Sequence, residues 1–169
     1  MTVEAFGCIK NTIRLRSGRY FDFQNPQPDQ FTLSDIGGSL SKICRFGGQI
    51  NSFYSVAEHL VNCSNQARKD RLTDSECLAC FLHDAHEAFI GDVVKPLKIM
   101  LGGTFSHLEQ RIDDVVQAKF GVDFERNYEA VKKIDREMLI AERRHFFTPD
   151  KVEWHGESEV RKLDRVFSG

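Results

Sequence analysis

Residues 73–91, TDSECLACFLHDAHEAFIG, join a helix start, an apolar run and a polar pair in one stretch. Thr73 followed three positions later by Glu76 is a capping box, in which hydroxyl and carboxylate each accept from a backbone N–H that a helix start leaves without a partner. The pattern predicts a helix from there to about Gly91. Cys77, Leu78, Cys80, Phe81 and Leu82 make it apolar around most of its circumference, so it belongs at the centre of a helical protein. His83 and Asp84 then stand where core is expected. A buried imidazole or carboxylate costs free energy unless it is paired or bound to a metal.

The flanking sequence extends the helical reading. Thr32 to Asp35 resembles a second capping box, opening a helix to about Cys44 with Ile36, Leu40 and Ile43 on one face. Another helix is expected from Ser52 to about Arg68, where Val56, Leu60 and Cys63 recur at helical spacing and His59 lies near the middle. Two more follow at about 105–120 and 125–147, and a last one from Glu157 to about Phe167. Before them, Thr12 to Phe23 carries a Ser17-Gly18 turn between short alternating runs, which predicts a small hairpin. Pro26, Pro28, Pro96 and Pro149 punctuate the elements. The expected class is all-α with a small N-terminal hairpin.

Composition excludes several functions. The chain has 169 residues, 41% hydrophobic and 28% charged. A single domain of that length buries roughly 70% of its unfolded surface and needs neither disulfide nor metal to fold, so a metal here would serve chemistry. Five cysteines, odd in number and scattered, suit reduced thiols. Cys77-x-x-Cys80 lacks a second pair to complete a zinc site and reads as buried small side chains. Lys plus Arg (23) nearly balance Asp plus Glu (25), without the electrostatic footprint of a polynucleotide-binding protein. No run approaches ~18 apolar residues and no secretory leader is evident, so a cytoplasmic, non-membrane protein is expected.

His59, His83, Asp84 and Asp135 together would form a mixed nitrogen and oxygen shell suited to Mn, Fe, Co, Ni or Zn rather than Ca. Singly, each histidine could be a satisfied core residue and Asp135 could pair with Lys132 or Arg136; their joint occurrence favours a metal. The order, a histidine, an adjacent His-Asp and a distant Asp on helices, resembles the HD-domain metal-dependent phosphohydrolases. The longer string His83-Asp84-x-x-Glu87, Gly91-Asp92 and Pro96-x-Lys98 is similar to the nucleotide-directed branch, which contains bacterial 5'-deoxynucleotidases and phage deoxyadenosine triphosphate triphosphohydrolases. The resemblance runs from about Arg19 to about Arg144 and implies a single HD-type helical bundle over 1–169.

It further implies that His59, His83, Asp84 and Asp135 hold one divalent transition metal, with additional Mg or Mn accompanying the phosphates. Glu87 would be the acid/base or water-positioning group. It lies four residues after His83 and three after Asp84, so all three can share one helix face; the alternative is a solvent-facing carboxylate. Asp92 would contact the sugar and favour the 2'-deoxy form, or simply cap the next helix. Lys98 and Lys132 would clamp phosphate, Arg45 phosphate or sugar, while Phe46 and Pro96 would line the base site; isolated basic residues are otherwise solvated surface. Gln49 and His86 depart from the family pattern, and His86 could supplement Glu87. The implied activity is hydrolysis of deoxynucleotides, preferentially dATP to deoxynucleoside and triphosphate. The alternatives are a 5'-deoxynucleotidase acting on dNMPs and a non-catalytic nucleotide-binding module. A homo-oligomer, dimer or hexamer, in a bacterial cytosol and of phage-like type, completes the expectation.

Overall fold

In the computed structural model, residues 3–4, 8–9, 11–154, 157–163 and 166–167 are described. Two small antiparallel pairs open the chain: β1 (Val3–Glu4) with β2 (Cys8–Ile9), and β3 (Thr12–Arg14) with β4 (Tyr20–Asp22), the latter in the register Ile13 opposite Phe21. The helices follow: α1 (Leu33–Leu40), α2 (Val56–Lys69), α3 (Asp74–Leu82), α4 (Glu87–Ile90), α5 (Lys95–Leu101), α6 (Gly103–Phe120) and α7 (Tyr128–Phe146). The chain is thus an all-α bundle with a small N-terminal hairpin. No described helix is long and apolar enough to cross a membrane.

Capping boxes decide three helix starts. Thr32, Ser55 and Thr73 each accept from the N–H three residues on, and Asp35, Glu58 and Glu76 accept in return. The Ser55 box starts α2 at Val56 rather than Ser52, and α1 ends at Leu40 instead of Cys44. At the far end of 73–91 the expected continuous helix breaks. Ala85, Glu87, Ala88 and Phe89 donate to carbonyls three residues back, and this tighter winding separates α3 from α4 and re-aims the side chains between them.

Two elements differ further from expectation. A short helix, α5, lies between the helices expected to end near Gly91 and to start near Phe105, with Pro96 in its first turn, where the missing N–H leaves no bond unmade. The expected helix from Glu157 to Phe167 is instead a single 3-10 turn at Glu157–Glu159, with 160–163 irregular; 164–165 and His155 lie outside the described residues.

The core forms in two parts, and α2 and α3 pack against each other and against α7. One part gathers Phe21, Phe31, Ile36, Leu60, Leu82 and Phe89, all buried. Phe21 stacks on Phe89 with ring centroids 4.0 Å apart, which anchors the hairpin to α4. The other part, Cys63, Ala67, Cys77, Cys80, Ile134 and Met138, fills the space between α2, α3 and α7. Cys77 and Cys80 are buried free thiols.

Candidate metal centre

Where α2, the turn after α3, and α7 meet, four polar side chains converge. His59 Nε2 lies 3.4 Å from His83 Nε2, 3.2 Å from Asp135 Oδ1 and 3.7 Å from Asp84 Oδ2. His83 Nε2 lies 3.5 Å from Asp84 Oδ2 and 3.7 Å from Asp135 Oδ1. Ligand atoms at about 2.0–2.1 Å from one tetrahedral ion are about 3.3–3.4 Å from each other, so these separations fit a shared cation. His59 is fully buried, whereas the side chains of Asp84 and Asp135 are 20% and 41% exposed, so the cluster opens to solvent on its carboxylate side.

The outer nitrogens of both imidazoles are already taken. His59 Nδ1 sits 2.6 Å from Glu142 Oε1, and His83 Nδ1 lies 3.0 Å from the Cys80 carbonyl oxygen. With those positions taken, the two Nε2 atoms face each other and two carboxylates. Outer partners of this kind orient metal-ligating histidines.

Glu142 was not foreseen among the site residues, although it lies seven residues after Asp135, two turns along the same face of α7. It is fully buried and also accepts from Arg45 Nε at 3.1 Å; Arg45 Nη1 is 3.5 Å from Asp84 Oδ2. Arg45 is therefore a buried cation tying two carboxylates together, where a phosphate or sugar contact had been expected.

The charges shift one another strongly. Burial and Arg45 oppose protonation of His59, but the surrounding acidic groups, Glu142 and Asp135 among them, outweigh both and hold its pKa well above the ordinary value. His83 is raised in the same way, against burial, by Asp84 and Asp135. Burial works to raise Asp135, yet the hydrogen bonds from His59 and His83 hold it well below the usual carboxylate range.

Beside this cluster, Glu87 is 3% exposed, and burial with the charges of Asp84 and Asp92 pushes its carboxyl up to about 8. Its Oε2 has no hydrogen-bond partner among the described residues, while His86 Nε2 lies 3.5 Å from Glu109 Oε1. One ligand atom each from Asp84, His86 and Glu87 lie within 4.8 Å of one another. Lys98 Nζ stands 3.6 Å from Glu87 Oε1 and 2.8 Å from Glu109 Oε1. His86 Nδ1 contacts Asp113 Oδ1 at 2.9 Å, so α6 backs this side of the site with Glu109 and Asp113, neither of which stood out in the sequence.

The remaining expected residues fall at the rim or farther out. Phe46 takes a left-handed conformation (φ 59°) and donates its N–H to Asp92 Oδ2 at 2.9 Å. Its ring packs edge-on to Phe147 and near Trp154. Pro96 is exposed in the first turn of α5, and Lys132 is exposed on α7, one turn before Asp135, with its ammonium 5.1 Å from the Tyr128 ring. Gln49 caps the 3-10 turn that carries Arg45 and Phe46.

No protein-family model matches the chain. Among solved structures it resembles the cyanophage S-2L HD phosphohydrolase DatZ, described as bound to dA and one catalytic Zn2+ ion, with a TM-score of 0.54 over 71% of this chain and 75% of that one, at 19% identity. The fold is therefore that of an HD phosphohydrolase. By sequence, the chain is 35% identical over 142 residues to the uncharacterized protein YfdR of Escherichia coli, covering 84% of this chain and 76% of that protein. It belongs to the YfdR family. An uncharacterized protein of Rhodobacter capsulatus is 34% identical over 113 residues, covering 64% of this chain and 58% of that protein.

Proposed function

We propose that the protein is a metal-dependent phosphohydrolase of deoxynucleotides, preferring dATP and releasing deoxynucleoside and triphosphate. The observation that carries this is the convergence of His59, His83, Asp84 and Asp135 with both outer imidazole nitrogens already bonded. These four residues would hold one divalent ion. When bound, such an ion supplies a Lewis acid for phosphoryl oxygens and acidifies water at neutral pH.

The chain's own residues then divide the work. Glu87, whose carboxyl is pushed up to about 8, holds a proton over much of the neutral range and presents the unpartnered Oε2; it is the group to position water or to give a proton to the leaving sugar oxygen. Lys98, steadied by Glu109 and Glu87, brings a cation toward the carboxylate side, where charge develops on phosphate. Lys132, one turn before Asp135, is the second phosphate clamp. Asp92, held by the Phe46 N–H, would face the sugar, and Phe46 and Pro96 would border the base. Arg45 fixes Glu142 and Asp84, and its remaining donors would serve phosphate or sugar. The cyanophage phosphohydrolase DatZ is bound to dA and one catalytic Zn2+ ion, which supports the same substrate class. A dimer or hexamer belongs to the proposal.

Product analysis over dNTPs and dNMPs with Zn2+, Co2+ and Mn2+ tests it. Triphosphate released from dATP is the expected result. Phosphate released from dNMPs alone would make the protein a 5'-deoxynucleotidase, and nucleotide binding without turnover under any ion would remove catalysis.

A further inference from the structure

We propose that Glu109 is a positioning residue that acts through Lys98: its carboxylate holds the ammonium back from the ground-state phosphate and in place for the charge that develops during transfer. This role rests on the reading of Lys98 as a phosphate clamp and adds to it the group that governs the clamp. Lys98 lies on α5, a seven-residue helix in which no residue is buried. The other six are exposed, Leu97, Ile99, Met100 and Leu101 among them, and Lys98 alone is half-buried. Apolar packing therefore does little to fix the ammonium, and its ionic partners decide where it stands. Glu109 Oε1 is the nearer of the two, 2.8 Å from Lys98 Nζ against 3.6 Å for Glu87 Oε1.

Glu109 is itself braced. Its Oε1 also lies 3.5 Å from His86 Nε2, and Asp113, one turn farther along the same face of α6, lies 2.9 Å from His86 Nδ1. Acidic and basic groups thus alternate from Asp113 through His86 and Glu109 to Lys98, and the carboxylate is fixed from the helix side before it meets the ammonium. A lysine ammonium is a compact point charge on a flexible stem, with three donors. Glu109 engages one of them, and the side chain of Lys98 is 27% exposed, so donors remain for a phosphate oxygen. Carboxylate and phosphate then compete for one cation. Without Glu109 the ammonium would swing freely to the phosphate of the bound substrate, which tightens ground-state binding without helping the transition state.

Kinetics and anion binding of the metal-loaded, full-length protein test this. With dATP, or with dAMP should dNMPs alone be hydrolysed, Glu109→Gln is expected to lower KM and kcat together. The fall in kcat should be about 10-fold or more, the size that follows from losing one charge-assisted hydrogen bond. Glu109→Asp, which keeps the charge on a shorter stem, should recover part of it. Calorimetry with inorganic triphosphate should show tighter binding to Glu109→Gln than to wild type. Because the effect runs through Lys98, the double variant Lys98→Ala/Glu109→Gln should match Lys98→Ala alone in both measurements. A raised KM with weaker triphosphate binding in Glu109→Gln, or an effect of that substitution that persists without Lys98, overturns the role of Glu109 and leaves the phosphohydrolase reading standing. If wild type turns over no deoxynucleotide, that reading fails, and triphosphate binding still decides: a gain that depends on Lys98 supports the role, and unchanged binding overturns it. Should Glu109→Gln not fold, Glu109→Asp serves the same comparison, with a lowered KM expected and an unchanged one contrary.

Discussion

Glu142 shows how much a single side chain can govern. Its two oxygens accept from His59 Nδ1 and from Arg45 Nε inside the protein, so it orients an imidazole and neutralises a buried guanidinium together. Glu142→Ala should weaken metal binding by about 10–100-fold and, by leaving Arg45 buried without that partner, destabilise the fold by about 3–5 kcal/mol. Metal competition and denaturant unfolding measure the two separately, and Glu142→Gln, which keeps one acceptor oxygen, should recover part of the first loss. Unchanged metal affinity in both variants would mean that His59 is oriented without it. His59 itself stood out in the sequence because a polar residue interrupted an apolar face. Glu142 did not, since in an amphipathic helix rich in Glu, Lys and Arg one more carboxylate looks like solvated surface.

Local elements were legible in proportion to how local their causes are. The capping boxes at Thr32 and Thr73 need only four consecutive residues each, and both form, while a third at Ser55, not read from the sequence, moves the start of α2. Asp35 also accepts from the Ser17 N–H at 2.8 Å, which ties α1 to the β3–β4 turn. Burial acts to raise its pKa, but hydrogen bonds from Thr32 and Ser17 prevail and lower it. Its stabilising effect is therefore complete above the unfolded carboxylate pKa, near 3.9, and is lost as pH falls through the lower folded value. Asp35→Asn should flatten that acid limb and cost about 1 kcal/mol at neutral pH, read from unfolding curves across pH. Gly91, closing α4 at φ 81° and ψ 165°, adopts a conformation that glycine alone takes readily. Gly91→Ala should cost about 1–3 kcal/mol and, by displacing Asp92, reduce discrimination between deoxy- and ribonucleotides in turnover assays. The break between α3 and α4 was not legible, because a nearly continuous apolar run carries no periodicity that would tell 3.6-residue winding from 3.0-residue winding.

For the molecule as a whole, the core and the candidate site share elements without depending on each other equally. Two apolar clusters hold the helices together, so a chelator should leave far-ultraviolet helicity intact at 25 °C while lowering the melting temperature by an amount that follows the free-ion concentration. Collapse of helicity on chelation would contradict this. Phe21→Ala, by contrast, empties a fully buried ring site between hairpin and α4 and should cost about 3–5 kcal/mol with metal affinity nearly unchanged, since Phe89 and not a candidate ligand loses its neighbour.

Helix starts, the all-α class and the order of the polar residues are properties of short stretches, set by capping chemistry and by the spacing of apolar residues, and the amino-acid chain carries them openly. The resemblance of His59, His83-Asp84 and Asp135 to HD phosphohydrolases was legible for the same reason. What required the folded molecule is the convergence of groups far apart in the chain: Glu142 on His59, 83 residues away, and Glu109 on Lys98 and Asp113 on His86 across α6. Burial, pairing and charge are fixed by what helices place opposite one another, and no local pattern encodes that.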